Sequence, residues 1–125
     1  MRILVVVAFA CLIGSPAFAD EERWSIKEGV CSDWTGTWRL THAGDSVWTG
    51  TVEQRHVGGP CAGASGAILT ANLKVIIAGR NFAAAKTNSS DGNDCNYFGT
   101  IDTHAVTGRY MCTRNAGPFT FSAER

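Results

Sequence analysis

The clearest periodicity in the chain runs from Trp34 to Val52, where apolar and polar residues alternate in WTGTWRLTHAGDSVWTGTV. Successive side chains of an extended strand point to opposite faces, so this stretch predicts two strands with one buried face. Ala43-Gly44-Asp45-Ser46 supplies the turn between them. With Gly44 to Ser46 as the loop, Trp38 faces Val52, Leu40 faces Gly50 and His42 faces Trp48. One face then carries Trp34, Gly36, Trp38, Leu40, Trp48, Gly50 and Val52. The other carries Thr35, Thr37, Arg39, Thr41, Val47, Thr49, Thr51 and Glu53. A slip by one residue would mix the two sets, so the pattern specifies the register.

A second hairpin lies near the end of the chain. With Thr103-His104 as its loop, Ile101 faces Val106, Gly99 faces Gly108, Tyr97 faces Tyr110 and Cys95 faces Cys112. Directly opposed Cα atoms lie about 4.5–5.5 Å apart, which a disulfide spans. Thr103-His104 is not a favoured type I′ pair, so a slightly longer loop is the alternative.

Between the hairpins, His56 to Gly66 is a loop rich in glycine and anchored by Cys61. Leu73, Val75 and Ile77 alternate as in a strand, and the β-branched run Val75-Ile76-Ile77 favours strand over a helix from Ala67 to Ile77. Gly79-Arg80 would turn the chain into another strand from Phe82. Thr87 to Asp94 reads as a polar turn with Asp91-Gly92 at its tip. Phe119 to Ser122 forms a short closing strand, and Asp20 to Val30 stays unassigned. The sum is an all-β antiparallel meander of six to seven strands. Gly36, Gly50, Gly99 and Gly108 lie within strands, where glycine marks bends and close approach. A small barrel, which removes exposed edges, is the expected architecture; a two-sheet sandwich is the alternative.

The start of the chain follows a different rule. Met1-Arg2 precedes the unbroken apolar run Ile3 to Ile13, and Gly14-Ser15-Pro16 leads to Ala17-Phe18-Ala19. This is the pattern of a secretory signal peptide cut after Ala19, and the run is too short for a membrane span of about 20 residues. Cys11 lies too deep in the apolar run for a lipoprotein site. The expected mature part is residues 20–125, an exported domain of periplasmic or extracellular, bacterial character. No membrane span would remain after cleavage.

Removal of residues 1–19 leaves 10 basic and 11 acidic residues, a net charge of −1. That balance argues against nucleic acid and anionic membranes as partners. Four cysteines remain, Cys31, Cys61, Cys95 and Cys112, and an even count in a small exported domain predicts two disulfides. A four-thiolate zinc site would need close pairs such as CxxC, and the spacings of 30, 34 and 17 contain none. The hairpin register assigns Cys95–Cys112, which leaves Cys31–Cys61.

Catalytic motifs are missing: there is no G-x-S-x-G elbow, P-loop, H-E-x-x-H or dinucleotide fingerprint. His42, His56 and His104 read as turn and loop residues exposed to solvent. No metal or cofactor is implied. Trp34, Trp38 and Trp48 share a face, as core or as the lining of a pocket that stacks on a ligand, and Tyr97 and Tyr110 carry the same two readings. Trp34 to Trp38, Trp-Thr-Gly-Thr-Trp, resembles the first strands of small ligand-binding barrels such as avidins and lipocalins. That resemblance spans five residues and brings no ligand or binding residue with it.

The expected function is a non-catalytic binding or interaction module for a small molecule, glycan or protein. One alternative is a small hydrolase or isomerase, which would need at least two of Asp33, Asp45, Asp102, His42, His56 and His104 to converge. The other is a structural envelope protein, marked by an exposed apolar patch or an unpaired edge strand.

Overall fold

The structure is a computed structural model that describes residues 20–61, 63–114 and 117–125. The signal-peptide expectation falls on residues 1–19 and lies outside the described residues. The described residues form eight strands: β1 (Glu22–Glu28), β2 (Trp34–Gly44), β3 (Val47–His56), β4 (Ile68–Ala78), β5 (Asn81–Thr87), β6 (Cys95–Ile101), β7 (Ala105–Cys112) and β8 (Phe119–Glu124). Each pairs antiparallel with the next, and β8 pairs back onto β1, so the sheet closes into a barrel. The sandwich alternative is not realised.

The strand beyond the expected six or seven is β1. Its inward positions are Trp24, Ile26 and Glu28. Only two of these are apolar, too short a run for alternation to show. The region from Leu69 to Ala85 is two strands, β4 and β5, turning at Gly79-Arg80. In the first hairpin the expected pairs hold from Trp38↔Val52 to His42↔Trp48, and the same register runs on to Trp34↔His56. The turn differs: a bulge between His42 and Gly44 absorbs one residue, and the tight turn is Asp45-Ser46. In the last hairpin every expected pair is present, from Cys95↔Cys112 to Ile101↔Val106. Its loop stays tight without a type I′ sequence because the Asp102 carboxylate accepts the backbone N–H groups of His104 and Ala105, each at 2.9 Å. Those two bonds hold the Asp102 carboxyl below its usual range.

Eight strands enclose a space that inward side chains just fill, or that holds one small ligand. Here the middle is filled. Trp38 is fully buried, stacks on Phe82 at 5.9 Å and meets Tyr97 edge-on at 5.8 Å. Trp24 and Phe121 close the cluster around them. Full burial of each such side chain contributes roughly 1.5–3 kcal/mol of transfer free energy. The sheet curls tightly enough that Gly50 and Gly99 have no room for a side chain. A Cβ on Gly50 would strike the carbonyl oxygen of Arg39, and one on Gly99 that of Thr107.

The two ends of the barrel differ. One carries the tight turns at Asp45-Ser46, Gly79-Arg80 and residues 102–104. It is closed by Arg125, whose guanidinium lies 5.0 Å over the ring of Trp24 and 3.6 Å from Glu22. The other end carries the longer loops, with described residues 29–33, 57–61, 63–67, 88–94, 113–114 and 117–118, together with both disulfides, Cys31–Cys61 and Cys95–Cys112. The Cα atoms of Cys95 and Cys112 lie 4.0 Å apart, closer than the register alone implied.

Candidate functional site

The long-loop end holds a cavity of about 200 Å³. Its floor is made of polar residues at inward positions, where the strand pattern calls for apolar ones. Glu28 ends β1, Gln54 lies on β3 and Lys86 on β5, and all three are buried. The amide of Gln54 donates to Oε1 of Glu28 and accepts from Nζ of Lys86 at 3.2 Å. Lys86 Nζ also lies 3.7 Å from Glu28 Oε1. From below, the hydroxyl of Tyr97 donates to Glu28 Oε2 at 2.7 Å.

Burial raises the pKa of the Glu28 carboxyl, and Lys86 and Tyr97 pull the other way. Burial and the neighbouring Glu28 charge push Tyr97 well above its ordinary value, and the same causes raise Tyr110. Both hydroxyls therefore stay protonated, and that of Tyr97 is donated to Glu28. Buried polar groups are costly unless paired, and a satisfied network specifies one arrangement.

Two braced loop pairs form the rim. On one side, Asp33 joins residues 29–33 to the loop that begins at Val57. Its carbonyl accepts the N–H groups of Val57 at 2.8 Å and Gly58 at 3.2 Å, and Cys31–Cys61 adds a covalent tie. Asp33 Oδ2 lies 2.9 Å from Nε2 of His56. The backbone N–H of Ser65 donates to Nδ1 of His56 at 3.0 Å, so the ring hydrogen sits on Nε2 and is donated to Asp33. On the other side, the Asn93 side chain accepts the N–H of Arg114 at 2.8 Å, and Asp94 accepts that of Thr113 at 2.9 Å. Cys95–Cys112 fastens the strands just below.

Of the aromatic residues singled out from the pattern, the structure brings Trp34 and Tyr110 together in the cavity wall. Tyr97 lies one layer deeper, fully buried against Glu28. Trp38 is sealed in the aromatic core, and Trp48 is at the opposite end, stacked on His42 at 4.6 Å. The shared face is real, but strands this long spread that face from one mouth of the barrel to the other. Phe119 completes the aromatic wall, and Glu28, Gln54 and Lys86 are the residues that pattern reading missed. Each is in phase with buried neighbours on its own strand: Ile26, Val52 and Ala84.

Among the six acid and histidine residues named for catalysis, Asp33 and His56 do meet. His56 is therefore half-buried and bonded, not the exposed loop residue expected, whereas His42 and His104 are exposed. Both ring nitrogens of His56 are already engaged, which leaves none to take a substrate proton. The pair orients a carboxylate and clamps the rim. Asp33 Oδ1, the other carboxylate oxygen, is buried and has no hydrogen-bond partner among the described residues.

No protein-family model matches this chain. No curated protein matches it either. Among solved structures the barrel is similar to a de novo designed fluorescence-activating β-barrel, with a TM-score of 0.64 and 12% identity over 86% of this chain and 94% of the design. It is also similar to a redesigned β-barrel bound to DFHBI, with a TM-score of 0.59 and 11% identity over 82% of this chain and 92% of that one. At these identities the likeness is one of fold: the chain is a small closed antiparallel β-barrel carrying two disulfides.

Proposed function

We propose that this chain is an exported, non-catalytic binding barrel that takes a small ligand at its long-loop end. The observation that carries this reading is the buried Glu28–Lys86–Gln54–Tyr97 network beneath a rimmed cavity. An eight-stranded barrel can fill its interior with apolar side chains throughout, as the middle of this one does. Charged groups at one end cost desolvation that packing alone does not require. The similar solved barrels, one named as fluorescence-activating and one bound to DFHBI, are consistent with a ligand in a barrel of this size. Export rests on the pattern of residues 1–19 and agrees with paired cysteines.

Native mass spectrometry of the protein from periplasm or culture medium tests both parts. The expected species begins at Asp20, carries two disulfides and retains a small-molecule adduct that Trp34→Ala removes. A polypeptide still carrying residues 1–19 would refute export. A bare mass unchanged by incubation with extracts would refute ligand binding.

A protein partner is the second reading, favoured by one feature of the outer surface. Ile76 and Phe98 are exposed, and Ala83 pairs with both across β5, which makes an apolar row on the wall. Phe98→Ser would abolish capture of such a partner and leave the cavity untouched.

A further inference from the structure

The cavity selects its ligand by charge as well as by shape. Glu28, Asp33 and Asp91 contribute carboxylates to its wall, against a single ammonium from Lys86. Lys86 is committed to Glu28 and Gln54, which leaves Asp33 and Asp91 uncompensated by any cation in the wall. Arg114 bonds the carbonyl oxygen of Asp91 but is exposed and not part of the wall.

Asp33 is the most specific of these groups. One of its oxygens is fixed by His56, and His56 is fixed in turn by the Ser65 backbone. The other, Oδ1, is buried without a partner among the described residues. Oδ1 packs against Gly29 and is closed to solvent, so the carboxylate meets a ligand through its charge and through Oδ2, which has a second lone pair besides the one that His56 uses. The same wall carries Trp34, Tyr110 and Phe119, aromatic rings of the kind whose faces attract cations. Among the described residues no three His, Cys, Asp or Glu side chains are grouped to hold a metal ion.

We propose that the cavity binds a small organic cation, an amine or guanidinium with an apolar body, whose N–H groups pair with Asp33 and whose body lies against Trp34, Tyr110 and Phe119. This rests on the binding reading above and assigns its ligand class. At about 200 Å³ the cavity is the size for one ring, since an engineered cavity of about 150 Å³ holds benzene.

Three probes of one shape and different charge test it: benzylammonium, benzyl alcohol and benzoate, each titrated into the full mature protein and followed by amide chemical shifts. Benzylammonium is expected to bind at least about tenfold more tightly than benzyl alcohol, with shifts at Asp33, Trp34 and Tyr110, and benzoate least. Asp33→Asn should reduce the affinity for benzylammonium by about tenfold, and by clearly more than it reduces the affinity for benzyl alcohol, so that the preference for the cation narrows. Asp91→Asn, on the opposite loop, gives the same comparison if Asp33→Asn does not fold. Equal binding of cation and alcohol would overturn the cation assignment and leave a ligand-binding cavity standing. Preference for benzoate would overturn it in favour of Lys86 as the recognising group. Absence of binding by all three would overturn both the assignment and the binding reading at this site.

Discussion

Lys86 and Glu28 approach within 3.7 Å of each other inside the barrel, both almost wholly buried, and Gln54 bonds to each of them. Removal of one partner strands the other charge in the interior. Lys86→Met or Glu28→Leu alone is expected to cost about 3–5 kcal/mol, whereas the double replacement, which leaves no buried charge, should cost far less than the sum. Urea unfolding of the two single variants and the double variant measures this. Additive costs would show that the pair is not coupled.

The same carboxylate sets a pH dependence. The folded-state pKa of Glu28 lies above its ordinary value because of burial, so at a pH between the unfolded and the folded value the folded protein holds a proton that the unfolded chain has released, and above both the carboxylate is charged beside Lys86. Its contribution is complete below the unfolded pKa and is lost as pH rises through the folded one. Glu28→Gln, which cannot release a proton, should show a flatter Tm as pH rises from 4.5. An equal slope in both proteins would mean that Glu28 titrates normally in the fold.

Trp38 and Trp34 lie on one strand and one face but have different surroundings. Trp38 is enclosed by Trp24, Phe82, Tyr97 and Phe121. Trp38→Ala should cost about 3–5 kcal/mol. Trp34, half-buried at the rim, should cost clearly less on the same change and instead alter binding at the cavity. Chemical denaturation of both variants separates core from rim, and a larger loss at Trp34 would reverse the assignment.

Each disulfide closes a loop, of 17 residues for Cys95–Cys112 and 30 for Cys31–Cys61. The loop-closure estimate is about 3 kcal/mol for the first and slightly more for the second. Paired Cys→Ser variants melted with and without reductant measure each contribution. The Cys31–Cys61 variant should also loosen the loops that Asp33 ties together, seen as faster amide exchange at Val57 and Gly58.

Most of the sheet was legible because apolar alternation survives along β2, β3, β6 and β7, and because Cys95 and Cys112 fall on partners of one register. β1 was not, since its third inward residue is Glu28. The cavity floor was hidden for the same reason. Period-two reading rewards apolar residues and passes over polar ones in phase with them, which is where Glu28, Gln54 and Lys86 sit. The meeting of Asp33 and His56 was closer to view than it looked. Extension of the first hairpin past Val52 sets His56 opposite Trp34, one residue from Asp33. A barrel was expected, but with β1 unassigned the strands that close it were not, so the pairing of β8 with β1, in a barrel where Phe119 and Tyr110 share the cavity wall with Trp34, went unread.

The opposite placement of turns and loops has a consequence for how the barrel can be carried. Glu22 and Arg125 both sit at the tight-turn end and touch one another there. A tether, a fused partner or a solid support joined through either of them would stand beneath the closed floor, with the cavity facing away from whatever holds it.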